Sequence, residues 1–165
     1  MLGSIQLCTL LLPTIPLRNS RQEGIPMAYP VLVRLATIDD LDFVAQDHYI
    51  PRAIVQRKIE EGEVFVAVDT NQLVGYARLE QLWSLIPYIA LIHVLPTYRR
   101  QGVGTALLAG IGATLRERGH TMLYSSSQVN EPEPQAWHRR MGFEECGVIA
   151  GINDGVGEIF FRTRL

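Results

Sequence analysis

Pro96-Thr97-Tyr98-Arg99-Arg100-Gln101-Gly102-Val103-Gly104-Thr105-Ala106-Leu107-Leu108 stands between an apolar run, Tyr88 to Val94, and an amphipathic run that continues to Arg118. The order reads as strand, glycine-bearing turn, helix. Val103, Leu107, Ile111 and Leu115 recur every four residues and so share one helix face. Gly102 and Gly104 allow close backbone approach, and the first N–H groups of a helix have no intrahelical partners. With the helix dipole, the Thr105 hydroxyl and the side chains of Arg99 and Arg100, these donors make a site for a multiply charged anion, most naturally a diphosphate.

Two common phosphate motifs do not fit. A P-loop needs Lys then Ser or Thr after its last Gly, where this chain has Ala106 and Leu107. A dinucleotide fingerprint needs a third Gly at position 107, which is Leu. What fits is Arg99-x-x-Gly102-x-Gly104 with Val94-x-Pro96 leading in, and this resembles the acyl-CoA-binding motif of the GNAT superfamily of N-acetyltransferases.

The other elements follow from periodicity. Val31 to Leu35 reads as a strand, Thr37 to Ala45 as a capped helix, and Arg52 to Glu61 as a second helix after the break at Asp47-His48-Tyr49-Ile50-Pro51. Phe65–Val68, Leu73–Leu82 and Tyr88–Val94 read as three strands joined by short turns, which must meander. After the central helix come a strand, Thr121–Ser125, and a helix from about Pro134 to Met141. Val148–Ile152 and Glu158–Thr163 then form a hairpin whose turn looks looser than a two-residue one. On parity, Tyr88, Ala90, Ile92 and Val94 share one strand face, and Ile89, Leu91 and His93 the other. The result is an α/β chain with a largely antiparallel sheet. The resemblance, covering about residues 31 to 164, implies a GNAT-like mixed central sheet flanked by about four helices. It also implies a splayed strand pair that receives the acyl-CoA arm, and a β-bulge near Val94.

At 165 residues, 47% hydrophobic and 19% charged, the chain is one domain's worth. A net charge of −2 argues against generic binding to nucleic acid or an anionic membrane. Cys8 and Cys146 are too few and too far apart for a disulfide framework, which favours a reducing, cytoplasmic setting. Residues 1–27 are read as a poorly ordered extension, with Met27 as the working first residue and a cleaved targeting segment as the alternative. Residues 28–165 are read as the single acyltransferase domain.

The resemblance implies acetyl-CoA as cosubstrate, no metal, and direct attack by a primary amine on the thioester. The implied cofactor-binding residues are Val94, Leu95, Arg99, Arg100, Gln101, Gly102, Val103, Gly104, Thr105 and Asn130, with Ser125, Ser126 and Ser127 as alternatives to Asn130. Val94 and Leu95 would bond the pantetheine arm through their main chain, and the Val94 N–H would polarise the thioester carbonyl. Within Trp137-His138-Arg139-Arg140-Met141-Gly142-Phe143, His138 falls where the family usually carries the tyrosine thought to protonate the departing thiolate. It is read as acid, base or hydrogen-bond donor, or else as a helix histidine anchoring backbone.

An alkylamine of pKa about 10.4 is neutral at pH 7 in only about one molecule in 2,500, a cost near 4.6 kcal/mol, so a base is wanted. No Asp or Glu occurs between Gln81 and Arg116, which leaves His93, Glu80 and the Asp47-His48-Tyr49 segment. His48, Tyr49, Trp83 and Tyr88 are expected to border the acceptor pocket. The acceptor is read as a small-molecule amine, a homodimer is allowed, and neither nucleic acid nor membrane is expected as a partner. Two other readings stay open. One is a catalytically inactive acyl-CoA-binding or regulatory module, and the other a nucleotide-phosphate binder.

Overall fold

The computed structural model of the chain describes residues 31–165, so the extension 1–27, Met27 as first residue and Cys8 lie outside the described residues. Strand β1 (Leu32–Leu35) leads through a 3-10 turn at Ile38–Asp40 into the single-turn helix α1 (Leu41–Val44), then α2 (Arg52–Glu60). Strands β2 (Val64–Asp69), β3 (Gln72–Leu82) and β4 (Ile86–Val94) follow, then the long helix α3 (Val103–Glu117). Strand β5 (Met122–Gln128), helix α4 (Pro132–Arg140) and the hairpin β6 (Glu144–Asn153) and β7 (Val156–Arg164) complete the order expected from the sequence.

The strands form one sheet in the order β1-β2-β3-β4-β5-β7-β6. Every pairing is antiparallel except β4 with β5. That parallel pair is bonded only at Tyr88↔Tyr124 and Ile89↔Ser125, beyond which the two strands part.

Each face of the sheet carries its own core. Helix α3 lies on one, where Val103, Leu107, Ile111 and Leu115 are all 1% exposed or less and pack with Phe65, Ala77, Leu79, Ile89, Leu123 and Phe161. Burying each such side chain stabilises the fold by about 1.5–3 kcal/mol relative to exposure, so this stripe anchors α3. Helices α1 and α2 cover the other face, with Val44, Val55 and Ile59 against Val64, Val66 and Tyr76.

Several boundaries differ from expectation. The hairpin turn is tight: Asn153 pairs with Val156, and Asp154 and Gly155 have φ of +47° and +94°. That is the two-residue arrangement favoured by Asp-Gly, in place of the looser turn expected. Strand β6 starts at Glu144, and α4 at Pro132, because main-chain pairing extends them over polar residues without apolar alternation. The expected bulge near Val94 is instead at Ala90: Leu91 stands opposite Arg78, but Ile89 stands opposite Leu79. The extra residue flips the parity. Tyr88, Leu91 and His93 share a face with Glu80, Arg78 and Tyr76, while Ile89, Ile92 and Val94 turn to the α3 core.

Candidate active site

Where β4 and β5 part, a cleft of about 1610 Å³ opens between them, roofed by the start of α3 and by α4. It is larger than the roughly 300–1,000 Å³ that holds one drug-sized ligand, which leaves room for an extended cofactor and a second reactant.

One end is built by the turn before α3. Gly102 is its N-cap with φ +88°, and no side chain caps the helix. The first intrahelical bond is from Ala106 N–H to the Gly102 carbonyl at 2.9 Å, so the N–H groups of residues 103 to 105 precede the helical ladder. Arg100 also sits at φ +60° with an exposed side chain, 3.7 Å from Glu133. Thr105 Oγ1 makes only a 3.5 Å contact to Met141 Sδ. The site is therefore an open, positively biased helix start.

The β4 wall follows from ladder alternation. Leu95 N–H donates to the Val74 carbonyl at 3.0 Å and its carbonyl accepts from Tyr98 N–H at 2.8 Å, so the main chain of Leu95 is engaged away from the gap. Alternation turns the main-chain groups of Val94 toward the gap, where Arg99 Nε donates to the Val94 carbonyl at 3.0 Å.

Ser125 and Ser127 project to the α3 side, and Ser126 to the other. Ser127 Oγ is buried, lines the cleft and has no partner. His138, 4% exposed, places Nδ1 2.8 Å from the Pro134 carbonyl and Nε2 2.8 Å from Ser125 Oγ. A carbonyl only accepts, so Nδ1 carries the proton, and the single Ser125 hydroxyl hydrogen is shared between Nε2 and the Ile89 carbonyl, 3.3 Å from Ser125 Oγ. The ring stacks on Phe161 at 4.5 Å. Burial first, with Arg139 adding, pushes its pKa below the ordinary value against the Pro134 hydrogen bond. At neutral pH it therefore has no proton on the nitrogen facing Ser125. His93 stacks on Tyr76 at 5.1 Å, and burial followed by the Arg99 charge lowers its pKa too.

On the opposite sheet face, Tyr88 Oη lies 2.5 Å from Ser126 Oγ, and Ser126 Oγ donates to Glu158 Oε1. Asn153 Nδ2 holds Glu158 Oε2 at 2.7 Å. Glu158 and Asn153 were not singled out in the sequence. Their only sequence signal is their place on the last hairpin, and register alone brings them to β5. Below lies a buried pair: Asp47 accepts from Arg78 Nη1 at 2.6 Å, Arg78 Nη2 at 3.1 Å and Tyr76 Oη at 2.6 Å. Burial pushes the Asp47 carboxyl up, but the bonds from Arg78, Tyr76 and the Tyr49 N–H outweigh it and leave its pKa below the usual range.

Of the residues expected at the site, the cleft is lined by Tyr49, Tyr88, His93, Val94, Arg99, Arg100, Gln101, Gly102, Gly104, Thr105 and His138. Val103 is 1% exposed and belongs to the core, where helix periodicity turns it. Asn130 is exposed in the turn after β5 and is not among the lining residues; its neighbour Glu131 is. Trp83, 83% exposed at φ +50° in the β3–β4 turn, and His48, exposed at φ +58°, also lie off the lining.

Comparison with known proteins gives a consistent result. Residues 32–143 match the family model described as Acetyltransferase (GNAT) family. An aminoglycoside N(6')-acetyltransferase type 1 of Stenotrophomonas maltophilia is 36% identical over 94 residues, 52% of this chain and 61% of that protein. A streptothricin acetyltransferase of Streptomyces lavendulae is 34% identical over 98 residues, 58% of this chain and 51% of that one. The chain thus spans between half and two thirds of the length of these two curated relatives. A crystal structure of a GNAT-family acetyltransferase from Bacillus cereus superposes with a TM-score of 0.69 at 26% identity, covering 81% of this chain and 96% of that one.

Proposed function

Because the chain belongs to the acetyltransferase (GNAT) family, we propose that it moves an acetyl group from acetyl-CoA to a primary amine that attacks the thioester directly. The observation that carries this reading is the uncapped start of α3, with Gly102 left-handed, at the mouth of a gap between two diverging strands. Ser127 Oγ supports it, since a buried hydroxyl without a partner costs free energy unless something enters the cleft to bond it.

Acetyl-CoA supplies an activated acyl group and a thiol leaving group. The N–H groups of residues 103 to 105, helped by Arg99, Arg100 and Thr105, would hold its paired phosphates. The main chain of Val94 and the Ser127 hydroxyl would hold the arm, and the Val94 N–H would stabilise charge developing on the acyl oxygen. His138, neutral and anchored, acts on this reading by orienting the Ser125 hydroxyl rather than by donating a proton of its own. His93 remains a residue of the acceptor-side wall whose lowered pKa keeps it neutral at pH 7.

A small-molecule acceptor is the favoured class. The support is that two relatives bear the names of aminoglycoside and streptothricin, both small-molecule antibiotics. The rim offers Tyr49, 76% exposed, for apolar contact with such a substrate.

Titration with acetyl-CoA in a thermal-unfolding assay, followed by thiol release over an amine panel, tests the proposal. Thermal protection with amine-dependent release is expected. Protection without release under any amine would favour the inactive binding module, a reading to which the tethered His138 lends weight. Protection by ATP equal to that by acetyl-CoA would favour a nucleotide-phosphate binder.

A further inference from the structure

The attacking amine must lose a proton, and β4 carries no carboxylate to take it. The cleft lining nevertheless holds three: Glu131 and Glu133, exposed at the start of α4 with Glu133 3.7 Å from Arg100, and Glu158, delivered by β7. Glu158 Oε1 accepts from Ser126 Oγ, and Oε2 accepts from Asn153 Nδ2 at 2.7 Å. The order of donors along this chain is forced. A carboxylate only accepts, so the single hydroxyl hydrogen of Ser126 goes to Glu158. Tyr88 Oη, 2.5 Å from Ser126 Oγ, must then donate its own hydrogen to that oxygen. The phenol oxygen keeps a free lone pair on the cleft wall, and its ring is held by stacking on Phe160 at 5.9 Å.

The geometry points to Tyr88, Ser126 and Glu158 as a proton exit for a cationic primary amine bound in the cleft, with Glu158 as its terminal acceptor. This rests on the acyl-transfer reading and deepens it. One ammonium N–H bond breaks as an O–H bond forms at Tyr88. The original Tyr88 hydrogen passes to Ser126, and the Ser126 hydrogen passes to Glu158. The amine keeps the electron pair with which it attacks, and Glu158 ends as a neutral acid. Asn153 is a positioning residue that fixes the far carboxylate oxygen.

Other charged groups bear on this chain. Glu80, opposite Tyr88 on β3, is bound by Lys58 Nζ at 2.8 Å, so its charge is already matched. Burial, with Glu158 and Glu80 adding, holds the Tyr88 pKa above its ordinary value, which keeps the phenol protonated between turnovers. His138 lies on the other face of the sheet, bonded to Ser125 rather than Ser126.

The test compares the wild-type chain with Glu158→Gln and Tyr88→Phe in a thiol-release assay. The amines are Nα-acetyl-lysine amide, a peptide amide with a free α-amine, and an aminoglycoside, and the one turned over fastest by the wild type serves as probe. Glu158→Gln should lower kcat/KM at pH 7 by about 100-fold, the usual scale of general base catalysis. The deficit should shrink about tenfold per pH unit as bulk solvent deprotonates the amine. Tyr88→Phe, which keeps the ring, should give the same pH pattern, and both variants should keep the acetyl-CoA thermal shift. A deficit that does not change with pH, or no deficit, would overturn the proposal alone, whereas no turnover of any amine by a wild type that acetyl-CoA protects would take the acyl-transfer reading down with it. Absence of acetyl-CoA protection in the wild type would remove the acyl-transfer reading and this proposal with it.

Discussion

Replacing Asp47 by Ala separates what holds the cleft wall in place from what does chemistry in it. The Asp47 and Arg78 side chains are 6% and 4% exposed and meet through two hydrogen bonds, with Tyr76 Oη supplying a third. Truncation leaves the Arg78 guanidinium buried with only a 3.4 Å contact to the Val44 carbonyl. Breaking a buried pair by removing one partner costs about 3–5 kcal/mol, because the remaining charge has lost its compensation. For a domain of this size that is a fall in Tm of roughly 6–20 °C. Urea unfolding of Asp47→Ala, Arg78→Met and the double variant is the assay. The double variant should be more stable than the sum of the single losses allows, by about 1–3 kcal/mol. The pH dependence has a definite sign. The folded-state pKa of Asp47 is lowered, so its contribution is complete above the unfolded value of about 3.9 and is lost as pH falls through the folded value. Wild type and variant should therefore converge below about pH 4. The same carboxylate accepts from the Tyr49 N–H at 2.9 Å, so KM for the acceptor should also rise. A loss below about 1 kcal/mol, or strict additivity of the two single variants, would refute the reasoning.

Three other outcomes are expected. Gly102→Val forces a β-branched residue to φ +88°, costing at least about 1–2 kcal/mol, and should abolish the acetyl-CoA thermal shift; an unchanged shift would mean the phosphates bind elsewhere. Gly110→Ala should destabilise α3 although Ala is the better helix former by about 1 kcal/mol, because the new Cβ would lie 2.5 Å from Val33 Cγ1. Adding Val33→Ala should recover only part of the loss, as read by urea midpoints, because the Val33 Cβ would still lie 3.0 Å from the new atom. Stability should also decline as pH falls below the unfolded-histidine value of about 6.5, because the His138 pKa is lowered by burial and the unfolded chain binds the proton first. His138→Gln should reduce that slope in denaturation curves taken between pH 5 and 7, the remainder coming from His93, whose pKa burial also lowers, and an unchanged slope would take His138 out of the account.

The uncapped start of α3 was legible in advance because it is local. A strand, a tight turn with glycines and a four-residue apolar repeat are encoded within about thirty consecutive residues, and the same residues carry the resemblance that led to the family. Element order was legible for the same reason: each apolar run between Val31 and Thr163 states its own period. The cleft wall was not. One extra residue at Ala90 rotates half of β4, and nothing in Ile89-Ala90-Leu91 announces a bulge, since it is a property of the pairing with β3.

The residues themselves therefore determined the fold class, the order of elements and the glycine-bearing, uncapped start of α3, all set by interactions within a few turns of chain. Only the tertiary structure decided which side chains meet in the gap. Glu158 reaches Ser126 across 32 positions, Arg78 reaches Asp47 across 31, and Tyr88 reaches Ser126 across 38. The physical reason is that a strand presents alternate residues to opposite faces, so each such contact hangs on a register shared by several strands at once, and one inserted residue exchanges every partner.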